Sequence, residues 1–191
     1  LFFEIRGGQF GYNWPLKPQP GAKSPRVEDI GNNLVSGNNR DWLQSRRRNQ
    51  VLGSLSYFKD DWGGDHNFKF GGEIFHETWL EEWYEGAYFN GVISYLRNGV
   101  PVEVDLFEFP GRSVGGLMTY SAYANDIWGL SDRLTMTLGL RFDRYRNYLP
   151  EQEHQAGPFS PVATTFPAVD ELTNWNLLGP RLGATYDIQG N

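Results

Sequence analysis

From residue 134 to 143 apolar and polar side chains alternate without a break. Leu134, Met136, Leu138, Leu140 and Phe142 stand against Thr135, Thr137, Gly139, Arg141 and Asp143. Successive side chains of a strand point to opposite faces, so this period predicts a strand with one apolar and one polar face. At helical spacing the same residues would scatter around the axis. The alternation recurs over 117–128, where Thr119, Ser121, Tyr123 and Asn125 oppose Met118, Tyr120, Ala122 and Ala124. It recurs over 67–78, with Phe68, Phe70, Gly72 and Ile74 against Lys69, Gly71, Glu73 and Phe75, and over 181–188, with Leu182, Ala184, Tyr186 and Ile188 against Arg181, Gly183, Thr185 and Asp187. Residues 51–58 and 1–10 read as two further strands. A strand needs about 9–11 tilted residues to cross a bilayer, and the run from 134 is long enough.

The connections between these strands alternate in length. Residues 59–66 and 129–133 are short and rich in Asp, Gly and Ser, while 11–47, 79–116 and 148–175 are long. Antiparallel neighbours send successive connections to opposite ends, so every long loop falls on one side. Short periplasmic turns and long extracellular loops are the plan of outer-membrane barrels, and compact soluble domains rarely hold several connections this long. Inside the second long loop, 92–97 and 100–106 flank Asn98-Gly99, the strongest short hairpin signal, and Pro101 pushes the second arm toward a sheet edge. This hairpin is expected to stand above the membrane. The predicted fold class is all-β: an antiparallel up-and-down transmembrane β-barrel segment with long extracellular loops, spanning 1–191 and placed in the cell outer membrane.

Composition narrows the alternatives. Hydrophobic residues make up 39% of the 191, an ordinary soluble average, but a barrel strand cancels its own hydropathy by alternating. No apolar run approaches the roughly 18 residues of a transmembrane helix. Aromatics reach 16%, as strand propensity and interfacial girdles both demand, and 23 Gly with 11 Pro supply turns. With no cysteine, disulfides, thiol nucleophiles and Cys-based zinc sites are excluded. A net charge of -6 argues against nucleic acid as a partner, and the basic run Arg46, Arg47, Arg48 reads as a strand or loop surface. Leu1 opens directly into a strand and residues 187–191 end in turn chemistry. A barrel segment truncated at both ends, without signal peptide or plug, is therefore expected.

Several segments resemble one family. Tyr123-Ala124-Asn125-Asp126-Ile127-Trp128 followed by Leu134-Thr135 is similar to the "Y-x-x-D-x-W-x-x-x-x-x-L-T" strand-turn-strand of TonB-dependent receptors. Leu138-Gly139-Leu140-Arg141-Phe142-Asp143 resembles the "L-G-L-R-Y-D" that follows there. Gly179-Pro180-Arg181-Leu182-Gly183 resembles the next strand, with Gly179 in place of the usual Ser. His66-Asn67-Phe68-Lys69-Phe70-Gly71-Gly72-Glu73 and Arg97-Asn98-Gly99-Val100-Pro101-Val102 resemble the Oar-like subgroup, which carries a carboxypeptidase-regulatory-like domain. The resemblance runs from about residue 51 onward. It implies a 22-stranded barrel with a plug, taking up a scarce ligand with energy from TonB. Neither plug nor TonB box lies in this chain. The implied partners are outer-membrane lipid, the protein's own plug and through it TonB, and an unknown ligand, whether oligosaccharide, peptide or metal chelate.

Candidate chemistry falls into two groups. Lys69, Glu73, Arg141, Asp143, Arg181 and Asp187 are predicted on the lumen face, where they could line the path of ligand or plug. The plainer reading has them paired with plug and neighbours, since charge is tolerated on the lumen side and costly on the lipid side. Trp79, Trp83, Tyr84, Tyr88 and Phe89, beside Glu81, Glu82 and Glu85, are candidate loop contacts for a sugar, cation or peptide. The plainer reading there is an interfacial aromatic belt. Glu73, His76 and Glu77 do not make a metal site, because His76 points away from the two acids on a strand. Asp60, Asp61 and Asp65 lack EF-hand spacing. No cofactor, metal or catalytic constellation is expected, and the chain is not read as an enzyme. The rival readings are an adhesive or structural barrel that transports nothing, and a soluble β-rich carbohydrate-binding module.

Overall fold

The computed structural model describes residues 1–21, 23–86 and 88–189. The last two residues of the turn expected over 187–191, and single positions in the loops 11–47 and 79–116, lie outside them. All its elements are strands. In chain order they are β1 (Phe2–Leu16), β2 (Arg26–Asp29), β3 (Leu34–Ser36), β4 (Asp41–Lys59), β5 (Asp65–Tyr84), β6 (Val92–Arg97), β7 (Val100–Leu106), β8 (Gly111–Ser131), β9 (Leu134–Leu149), β10 (Gln152–His154), β11 (Thr164–Phe166) and β12 (Val169–Tyr186). Six form one antiparallel sheet in the order β1-β4-β5-β8-β9-β12. It is not closed on itself, so β1 and β12 are its two edges.

The wall strands are longer than the alternation predicts. β5 extends to Tyr84 and β8 begins at Gly111, so much of the expected 79–116 loop is wall. β4 begins at Asp41, β1 runs to Leu16, β9 to Leu149, and β12 covers Val169–Tyr186 in place of 181–188. The reason is visible in the register. On one face the rows Phe3·Leu55·Phe70·Ala124·Leu140·Pro180 and Ile5·Gly53·Gly72·Ala122·Phe142·Leu178 are apolar. Two rows further from the short turns the same face reads Gln9·Asn49·His76·Met118·Arg146·Asn174. Ladder hydrogen bonds continue there, but the outward face has turned largely polar while the inner face keeps aromatic residues such as Phe75 and Trp175, and the hydropathy period vanishes.

Among the described residues, none covers the apolar band. Phe89 and Ile93 are the buried hydrophobic side chains of the described residues, and both lie in the outer loops. Leu182 is 79% exposed, Leu178 65% and Leu140 48%. The accessible surface of 13117 Å² far exceeds the roughly 9,000 Å² of a compact monomer this size. A sheet with its apolar side chains turned outward is stable only where hydrocarbon replaces water. At the short-turn end the band closes in aromatics: His66 stacks on Phe68 and Trp128 at 5.1 and 5.2 Å, with Trp62 tilted against it. His66 also lies 2.7 Å from Asp126, and the Trp128 indole donates to the Gly63 carbonyl. Aromatic rings with a polar edge belong at a membrane–water border.

Four glycines meet an aromatic ring on the neighbouring strand. Trp83 lies directly opposite Gly111, Trp79 opposite Gly115, Tyr123 opposite Gly71, and Tyr148 opposite Gly116. A Cβ at any of them would collide with the facing ring. The ring covers the bare glycine backbone and fixes the register. The turns are tight as expected. The second is reduced to Asp132–Arg133 because β8 runs through Gly129 to Ser131, where the Ser131 hydroxyl accepts from the Leu134 amide.

The long connections fold on each other, forming a crown above the wall. β3, β2, β6 and β7 make a four-stranded sheet, and β10 pairs with β11. The β6–β7 hairpin forms around Asn98-Gly99 as predicted, but its partner was not foreseen. β2, from the first long loop, pairs with β6 in parallel, inside a chain read as antiparallel throughout.

Candidate functional site

Two carboxylates tie the three outer loops together. Asp29, buried at the end of β2, accepts from the Gly31 and Asn32 amides and the Asn32 side chain within its own turn. It also accepts from the Asn98 and Gly99 amides of the β6–β7 turn, at 2.9 and 2.7 Å. Burial opposes its charge, but the hydrogen bonds prevail and hold its pKa below the ordinary 3.8. Glu108 binds the second loop to the third: one oxygen accepts from the Phe159 and Ser160 amides, and the other lies 2.9 Å from His154. Between these clamps Phe89, 1% exposed, packs on Phe107 and Phe109 at 5.9 and 5.7 Å. Tyr95 donates to Asp105, and this bond pushes its phenol up to about 12.

The proposed loop contacts are not gathered in one place. Trp79 and Trp83 are wall residues on the polar face, engaged with Gly115 and Gly111. Trp83 further flanks Arg40, whose guanidinium sits 4.5 Å from the Phe107 ring and 6.0 Å from Trp83. Tyr84, on the opposite face, donates to Glu82, which raises its pKa. Tyr88 is exposed. Phe89, expected on an exposed loop, lies instead at the centre of the crown's small apolar core, against Phe107 and Phe109. Beside Tyr84 a cleft of about 550 Å³ opens between wall and third loop, lined by Glu82, Arg112, Glu151, Gln152 and Glu153 among others.

The register puts Lys69, Glu73, Arg141, Asp143 and Arg181 on the polar face of the wall. That face is laced with pairs. Arg46 bonds Glu81 at 3.2 Å, Arg48 lies 4.0 Å over the Phe75 ring, and Gln50 donates to Glu73. Arg141 grips Asp143 through two nitrogens, and Ser121 donates to the same carboxylate at 2.5 Å. Lys69, Arg141, Asp143 and Arg181 line one groove of about 550 Å³ with Tyr123 and Asn125. Glu73 shares the register row of Asp143, with Ser121 between them, and is turned to Gln50. Asp187 lies past the end of β12, where its amide donates to the Arg133 carbonyl, and does not join the groove. His76 points to the other face and bonds the Tyr148 hydroxyl at 2.6 Å.

Asp29 and Glu108 escaped the sequence reading. A signal for the first existed: Val27 and Leu34-Val35 flank Asn32-Asn33, and Asn33 adopts a φ of 55°. Nothing local marks Glu108, whose partners lie about fifty residues away.

An outward apolar band, aromatic rings at its border, a polar inner face and loops gathered at one end define the wall of a transmembrane β-barrel. Residues 6–191 match the model of the outer membrane beta barrel domain, and the chain belongs to that family. The outer membrane is therefore where it resides. No curated protein and no solved structure matches it significantly.

Proposed function

We propose that this chain is wall and crown of a TonB-dependent receptor of the Oar-like type, which takes up a scarce ligand with energy relayed from the inner membrane. The observation that carries this reading is the strand-turn-strand from Tyr123 to Asp143, whose residues fall in β8, a two-residue turn and β9 of a barrel wall. The polar face supports it, because an uptake path needs a hydrated lining and Lys69, Arg141 and Asp143 lie along it. On this reading the partners are lipid, the protein's own plug, TonB through the plug, and a ligand of oligosaccharide, peptide or metal-chelate type. The chain performs no catalysis.

The test uses the full-length gene product in detergent and the periplasmic domain of the same cell's TonB. Stable binding that is lost on removing the receptor's N-terminal residues is the expected result. A full-length protein that never binds TonB, in cells whose nutrient uptake ignores TonB loss, is an adhesive or structural barrel instead.

A further inference from the structure

The geometry points to a binding site for a neutral oligosaccharide at the barrel mouth, in a pocket between the wall and the second and third outer loops. The pocket holds about 470 Å³, within the roughly 300–1,000 Å³ usual for small-molecule sites. Four rings line it: Trp83 of β5, Phe107 and Phe159 of the loops, and Phe166 of β11. Among the described residues, none from the edge strands β1 or β12 lines it. β5 and β8, which supply its wall side, each have both sheet neighbours in place.

Two of the rings stand open, Phe159 at 45% exposed and Phe166 at 53%. Phe159 is held from behind, because Glu108 accepts both its amide and that of Ser160. Trp83 lies across the bare backbone of Gly111, so its indole borders the pocket from the wall. The charged groups already answer one another. Glu108 lies 2.9 Å from His154, Arg112 lies 3.4 Å from Glu82, and Glu153 takes the Gln155 amide. A charged ligand would therefore find little uncompensated charge. Neutral hydrogen-bonding groups do remain. The Gln152 oxygen takes the Val114 amide, while its NH2 has no partner among the described residues, and neither has the Ser160 hydroxyl. A sugar offers an apolar C–H face to an aromatic ring and hydroxyls at its rim, which matches rings interleaved with neutral polar groups.

The inference rests on the proposed receptor reading for its setting, capture ahead of uptake, but binding itself needs neither plug nor TonB. The test presents an array of neutral, anionic and cationic oligosaccharides to the full-length protein in detergent. Retention of neutral glycans is expected, insensitive to added salt because no ion pair forms. Phe159→Ala and Phe166→Ala should each weaken it about tenfold, and Trp83→Phe, which keeps a ring, by less. Both loop rings are exposed, so these variants should fold, and the gel shift of folded against unfolded protein checks that they do. Retention of charged glycans alone overturns the site. So does binding that survives the loss of both loop rings, or the absence of ring-dependent retention of any glycan. TonB binding is measured on the same variants. Sugar retention without TonB binding upholds the site on an adhesive barrel. TonB binding without sugar retention ends this inference and leaves the receptor reading intact.

Discussion

Leu140 occupies the middle of five outward rows that run from Met136 to Arg144 along β9. Eight residue steps at about 3.3 Å each span roughly 26 Å along the strand, or about 20 Å across the membrane at a tilt near 40°. Leu140 therefore sits near the midplane, where an arginine on the lipid face costs about 2–4 kcal/mol. Leu140→Arg should lower the folding equilibrium constant by roughly 30- to 900-fold. Thr137→Arg is the matched control, since Thr137 pairs with Ile127 and Gly183 on the polar face. There the added charge meets a hydrated interior and the expected cost is about 0–1 kcal/mol. The assay is denaturant titration of the full-length barrel folded into lipid vesicles, followed by the gel shift of folded against unfolded protein. If Thr137→Arg costs as much as Leu140→Arg, the assignment of faces is wrong.

Further outcomes follow from the crown and the glycine pairs. Phe89→Ala should cost the crown about 3–5 kcal/mol of local stability, read as faster proteolysis within 85–110 while the wall stays protected. Asp29→Asn should also expose 17–40 and 85–110 to protease. Because the folded Asp29 pKa lies below 3.8, its contribution is fully present above that pH and is lost as pH falls through the depressed value. Protease sensitivity of these loops should accordingly rise only in strong acid, and an onset near neutrality would count against the clamp. Gly115→Ala should displace the Trp79 ring and destabilise the wall by about 1–3 kcal/mol, seen as a lower denaturant midpoint. Tyr95 should not ionise until about pH 12, with the crown losing that contribution between 10 and 12. Ultraviolet difference titration of Tyr95→Phe against the parent isolates the phenol.

Sequence alone determined the strands, their two faces and the end on which loops gather, because lipid demands an apolar residue at every second position. Leu134 through Asp143 carry that demand in their own order, and Asn98-Gly99 carries its turn in two residues. Wherever the outward face meets water the demand lapses. Glu82, Arg112 and Arg146 continue the ladder without any periodicity to announce it, and the strands outrun their predicted ends. Tertiary structure decided the rest. The parallel union of β2 with β6, the reach of Asp29 to Asn98 and of Glu108 to Ser160, and the seating of Trp79 on Gly115 join residues far apart in the chain. So does the gathering of Lys69 and Arg181 beside one groove. Hydropathy reports the solvent each residue faces. It carries no information about which distant backbone amide or bare glycine will lie opposite, and that is settled only when the strands take their register.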